Sequence, residues 1–166
     1  MAVSMGDRRS AFWTRWFPIQ YRLIRWLDPL VRAWWSRVGL GDTTDLEVVG
    51  RRTGRMRHVL VGLLEVDGRW YVGHPNGPVA WTRNLEAARS GVVRRPGSAP
   101  VDVLVHPLPA GPERSGAIRA TFVQHPFPGN LIYRLAGRHI EAVGAFYRLE
   151  PAASVAGTGI AGDTRV

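Results

Sequence analysis

The sequence predicts a mainly β, α+β fold: a small antiparallel barrel of about six strands, helices on its flank, and an N-terminal amphipathic helical segment. Three observations carry this. From Asp45 onward, short apolar runs of strand composition alternate with Gly, Pro and Asp turn signals. Two helical patterns, Ala80 to Ser90 and Glu113 to Gln124, interrupt them. Upstream, between Ala11 and Leu40, the composition changes sharply, and five of the seven tryptophans fall there.

The first ten residues are polar. In the segment that follows, Phe12, Trp13, Trp16, Phe17, Tyr21, Trp26, Trp34 and Trp35 are interleaved with arginines. At helical spacing Arg15, Arg22, Arg25 and Arg32 share an arc of roughly 100°, leaving the opposite face aromatic and aliphatic. Pro18 opens the first piece, Asp28-Pro29 reads as an N-cap and first-turn proline of a second, and Gly39 closes it. Strands are expected at Leu46 to Val49, His58 to Val66 and Arg69 to Gly73, with Asp67-Gly68 as a hairpin turn between the last two. Two more are expected at Gly91 to Val93 and Val101 to Val105, around the Pro96-Gly97 turn. Asn130 to Arg138 suggests a short helix, and Ala142 to Leu149 alternates as a closing strand. The expected organisation is a helical segment over 1–44, a barrel over 45–151, and a disordered tail over 152–166 that lacks large apolar anchors.

At 166 residues with 45% hydrophobic content, one packed core is within reach without covalent staples. The absence of cysteine excludes disulfides, thiolate metal sites and cysteine nucleophiles, and fits a reducing cytoplasm. The formal charge is +9 and all 22 cations are arginine, a field that attracts phosphates, polycarboxylates or anionic lipid. No apolar stretch of about 18 residues exists, and the start lacks a secretory signal pattern, so a cytoplasmic location is expected.

The densest functional signal is Gly50-Arg51-Arg52-Thr53-Gly54-Arg55-Met56-Arg57, a glycine-bounded turn with four arginines in seven positions. Glycines allow positive φ and expose N–H groups, while guanidinium forks bind phosphate or carboxylate oxygens bidentately. The plainer reading is a solvated hairpin tip, and the spacing matches neither a Walker loop nor a dinucleotide fingerprint. Next comes Trp81-Thr82-Arg83-Asn84, preceded by the turn-rich His74-Pro75-Asn76-Gly77-Pro78. Trp81 and Asn84 share a helix face, where an indole and an amide can hold a flat heteroaromatic ring; Trp81 can equally be a core anchor. The histidines at 58, 74, 106, 125 and 139 show no i, i+4 pair and no neighbouring carboxylates in zinc-site spacing, so no metal is expected. His74 is a proton-donor candidate or a plain loop histidine.

Taken in order, Gly-Arg-Arg-Thr-Gly, an arginine three residues on, an Asp-Gly hairpin, a glycine turn, Trp-x-x-Asn-Leu and a closing strand ending in Glu-Pro resemble the deazaflavin-dependent nitroreductase and quinone reductase family. The resemblance covers Asp45 to Pro151. It implies a split β-barrel that binds the 8-hydroxy-5-deazaflavin coenzyme F420. Arg51, Arg52, Thr53 and Arg57 would hold the phosphate and glutamate tail. Around the ring the resemblance puts His58, Val59, Leu60, Val61 and Gly62, then Gly73, His74, Pro75 and Asn76, then Ala80, Trp81 and Asn84. Counting back from Leu149-Glu150-Pro151, Tyr133 falls where such proteins carry a substrate-side tyrosine, which a buried structural tyrosine would imitate. Four positions depart: Arg52 stands for a common lysine, Leu60 for a usual proline, and Pro75-Asn76 for a Ser-Lys pair.

The function these features imply is hydride transfer from reduced F420 to an electron-poor small-molecule acceptor such as a quinone, an enone or a nitroaromatic. An FMN-type split-barrel flavoprotein is the alternative enzyme, since the basic turn serves any phosphate. A third reading is a non-catalytic barrel that binds anions or membrane. Residues 11–38 are suited to peripheral membrane contact, which would make a lipid-borne acceptor available; the competing reading packs their tryptophans on the barrel or in a dimer. Nucleic acid is not the expected partner, because stacking platforms spread their aromatics over strands. A homodimer is expected by analogy with flavoproteins of this fold.

Overall fold

The computed structural model of the chain describes residues 12–16 and 43–152. Residues 12–16 are helical, and the remaining expectations for the N-terminal segment and the tail lie outside the described residues. In β1 (Thr43–Val49), Thr44, Leu46 and Val48 turn inward, and Glu47 on the other face is buried as well. Its antiparallel partner β2 (Met56–Gly62) sets Val59 opposite Leu46 and Arg57 opposite Val48, so Arg57 extends the inward face. A short strand β3 (Leu64–Val66) and β4 (Arg69–His74) follow as the expected hairpin, with positive φ at both Asp67 and Gly68.

Helix α1 (Ala80–Ala88) crosses to β5 (Ser90–Arg94) and β6 (Val101–Pro107). It starts at Val79, whose N–H donates to Thr82 Oγ1 at 2.8 Å while that hydroxyl donates back to the Val79 carbonyl. Three helices come next: α2 (Pro112–Gln124), begun by its proline, α3 (Gly129–Leu135) and α4 (Gly137–Val143). The closing strand β7 (Ala145–Pro151) completes a seven-stranded antiparallel sheet in the order β2-β1-β5-β6-β7-β4-β3, curled into a half-barrel. This is the α+β split barrel that the sequence predicts.

Three details differ from expectation. The run His58 to Val66 is two strands, because the chain breaks at buried Leu63; this raises the count to seven. The expected helix over 130–138 is two helices that meet at Ala136, and α4 takes residues 142–143 from the expected closing strand. That strand runs on instead through Glu150 and Pro151.

Successive residues of β4 and β7 serve two cores. Val72 and Tyr147 face the barrel interior with Leu46, Val48, Val61 and Leu85, whereas Tyr71 and Phe146 face Ala117, Ile118 and Ile140 of the α2–α4 layer. Each fully buried side chain of this size contributes about 2 kcal/mol, so both faces of these strands anchor the fold. Gly73 lies opposite Phe146, and a Cβ there would overlap its ring.

Candidate functional site

The basic turn is built by its glycines. Gly50 N–H donates to the Arg55 carbonyl at 2.9 Å, Gly54 N–H donates to the Gly50 carbonyl at 2.8 Å, and Gly54 takes a φ of 65°. One arginine fastens the turn to α1: Arg51 donates from its backbone N–H and from its guanidinium to Asn84 Oδ1, at 3.3 and 3.1 Å. A third bond reaches the Ala80 carbonyl at 3.4 Å. Asn84 therefore positions the turn, and exposed Arg51 commits one guanidinium nitrogen to that contact. Arg52, Arg55 and Arg57 are exposed, and among the described residues their side chains have no ion-pair partner. Arg57 stands opposite Val48 on the inward face, at the turn end of β2, while Arg52 and Arg55 lie in the turn that Arg51 ties to α1.

Next to them Trp81 is half-buried and packs on the barrel core, as the anchor reading holds. Its indole meets the His74 ring edge-on, with centroids 6.5 Å apart. His74 is 6% exposed, and burial lowers its pKa to about 4. Its Nδ1 lies 3.1 Å from the Gly77 carbonyl, which closes the Gly73–Gly77 turn. A neutral, buried imidazole at physiological pH is poorly suited to donate a proton there. Pro75 is buried too, and Asn76 accepts from His139 Nε2 at 2.9 Å while donating to the Thr14 carbonyl at 3.4 Å. The side chains of this turn thus face α4 and residues 12–16.

The edge strand β2 carries His58 to Gly62. Val59 and Val61 belong to the barrel core, whereas His58 and Leu60 lie on the opposite face. The structure brings Arg51, Arg52, Thr53, Arg57, Ala80, Trp81 and Asn84 into one region. Tyr133 it does not bring there: on α3, it packs with the second core and meets His125 edge-on at 4.7 Å.

Sequence reasoning missed several neighbours. His58 Nδ1 lies 3.1 Å from Asp45 Oδ2 and 3.6 Å from Glu47 Oε1, and His106 lies 3.2 Å from Glu150, cross-strand contacts that the sequence spacing of histidines and carboxylates does not show. Asp45, Glu47 and His58 form a potential ligand set, but Arg94 already ion-pairs with Glu47, so the group reads as a charge network. Tyr147, buried under α1, donates to Glu86 at 2.7 Å, and burial pushes its hydroxyl pKa well up. The only sequence signal for that contact is the i, i+4 spacing of Thr82 and Glu86.

No protein-family model matches the chain, and no curated protein matches it in sequence. Solved structures do match. A protein described as a domain-swapped dimer aligns with a TM-score of 0.53 at 16% identity, over 77% of this chain and 99% of that one. An F420-H2-dependent reductase aligns with a TM-score of 0.52 at 16% identity, over 66% of this chain and 94% of that one. The heme storage protein HutZ from Vibrio cholerae aligns at 0.51 with 15% identity, over 76% and 90%. The chain accordingly has a split-barrel fold that known proteins use for deazaflavin-dependent reduction and for heme storage alike.

Proposed function

We propose that the chain binds coenzyme F420 and reduces an electron-poor small molecule with it. The observation that carries this reading is the Arg51–Asn84 contact, which leaves Arg52, Arg55 and Arg57 as exposed cations at the turn that it ties to α1, the helix of Trp81. Three guanidinium groups without carboxylate partners fit a phosphate joined to a polyglutamate tail. Among the described residues, edge strand β2 has one side of its backbone without a strand partner, where the polar edge of a flat ring can be met. When bound in its reduced form, F420 supplies a hydride to the acceptor. Arg52 and Arg57 hold the tail, Trp81 limits the ring on the core side, and the apolar wall of Val59 and Val61 excludes water.

FMN is the second reading, because arginines recognise a phosphate whichever flavin carries it. A fluorescence titration against F420 and FMN at low and high salt separates the two. Tighter, salt-sensitive F420 binding is expected, weakened about tenfold by Arg52→Ala and by Arg57→Ala. A preference for FMN selects the second reading, and binding of neither ends both.

On the family resemblance alone, and although Tyr133 stands on α3 against the second core and away from the arginine–Trp81 region, we propose it as the substrate-side phenol that donates a proton to the reduced product. Tyr133→Phe should then lower kcat about a hundredfold with F420 affinity unchanged. Unaltered turnover would leave Tyr133 a packing residue of the second core. A homodimer is also proposed, supported by the domain-swapped dimer of the same fold, and sedimentation equilibrium measures it.

A further inference from the structure

The α2–α3 corner exposes an apolar surface that no feature of the cofactor reading uses. Val123 is 76% exposed, Phe127 78%, Leu131 48% and Leu135 67%. Four-residue spacing puts Leu131 and Leu135 on one face of α3, with Phe127 leading into it. The helical piece 12–16 borders the same core: Trp13 packs against the second core, as do Phe122, Ile132 and Tyr133 of α2 and α3. Its neighbours Phe12 and Trp16 stack at 5.9 Å and remain 54% and 43% exposed. Large apolar side chains gathered on one side of a small domain mark a contact surface.

The charge around them identifies the occupant. Residues 114–140 contain four arginines and not one carboxylate; the nearest carboxylates are the flanking Glu113 and Glu141 and exposed Glu65, whose backbone bonds Gln124. Arg114 is buried, while Arg119, Arg134 and Arg138 are exposed, as is Arg15 beside Trp16. A two-fold contact between copies would bring like charges together, whereas an anionic bilayer accepts apolar side chains at its acyl boundary and arginines among its headgroups. We propose that the α2–α3 corner, together with residues 12–16, is a docking face for an anionic lipid surface. This puts the contact on helices of the folded barrel as well as on the N-terminal segment, and it does not depend on which cofactor is bound.

Co-sedimentation of the full chain with phosphatidylcholine vesicles, with and without phosphatidylglycerol, tests it. Binding should require phosphatidylglycerol and weaken as salt is raised. The triple variant Phe127→Ser, Leu131→Ser, Leu135→Ser should bind at least about tenfold more weakly, and the pair Arg134→Gln, Arg138→Gln should lose most of the salt dependence. Met56→Ser, which removes an exposed apolar side chain from β2, should bind like the parent. Circular dichroism confirms that the variants fold. Undiminished binding by the triple variant would overturn the proposal and leave membrane contact to residues 11–38 alone. A parent that ignores vesicles but self-associates through these residues, as light scattering would show, would overturn it in favour of a second copy.

Discussion

Arg114→Met should unfold about 3–5 kcal/mol more easily than the parent, the largest loss expected from any single side chain here. Arg114 is 8% exposed on α2, and its guanidinium closes the end of α4. It donates to the carbonyls of Glu141 at 3.0 Å, Ile140 at 3.3 Å and Gly144 at 2.6 Å. They lie at the C-terminal end of a seven-residue helix; the Ile140 carbonyl also accepts the Gly144 N–H at 2.8 Å, so the guanidinium adds a second donor there and serves the Glu141 and Gly144 carbonyls beyond it. Methionine keeps most of the aliphatic stem but offers no donor, so the Glu141 and Gly144 carbonyls lose the guanidinium and Ile140 keeps only its backbone donor. For a domain stable by about 5–15 kcal/mol, that is a large share. Urea unfolding of Arg114→Met beside Arg119→Met measures it, since exposed Arg119 on the same helix should cost less than about 0.5 kcal/mol. Equal stability of the two variants would show that the guanidinium does not cap α4.

The same contact links the fold to the candidate site. Through α4, Arg114 supports His139, and His139 donates to Asn76 in the turn that holds His74 beside Trp81. A loosened α4 therefore reaches the Gly73–Gly77 turn without any change in the turn itself. The resemblance points to that turn for ring contacts, yet the side chains of Asn76 and His74 are committed to His139, Thr14 and Gly77. What it can offer a ligand is backbone.

Local chemistry explains which parts of the molecule were legible beforehand. Asp67-Gly68 announces its hairpin because both positions need positive φ, and Gly54 announces the basic turn for the same reason. Helix α2 shows itself through length and its leading proline. Helix α4 does not, because seven residues give under two turns of periodicity and no side chain caps its start. The break at Leu63 is hidden within an apolar run that reads as one strand. In the site, the contacts that decide roles are far apart in sequence. Arg51 meets Asn84 across 33 residues, Arg94 meets Glu47 across 47, and His139 meets Asn76 across 63. Each depends on the strand order β2-β1-β5 or on the packing of α4, which no local pattern encodes.

Acid should destabilise the fold before most carboxylates titrate, and His74 sets the window. Its pKa is about 4 in the folded chain against 6.5 for the free side chain, because the buried ring has little room for a charge. Below pH 6.5 the unfolded chain takes up a proton that the folded chain refuses, so stability declines as the pH falls from 6.5 towards 4. Once the folded ring also protonates, this contribution levels off. A shift of this size corresponds to a loss of up to about 3 kcal/mol. Burial lowers the pKa of His139 as well, which steepens the decline in the same direction. Urea unfolding at pH 7, 5.5 and 4.5 gives the slope, and His74→Gln should flatten it whatever that substitution does to stability at pH 7. The comparison of slopes isolates the imidazole, because both chains share every carboxylate. A His74→Gln chain with the parent's slope would mean that the ring is charged, or open to water, in the folded protein.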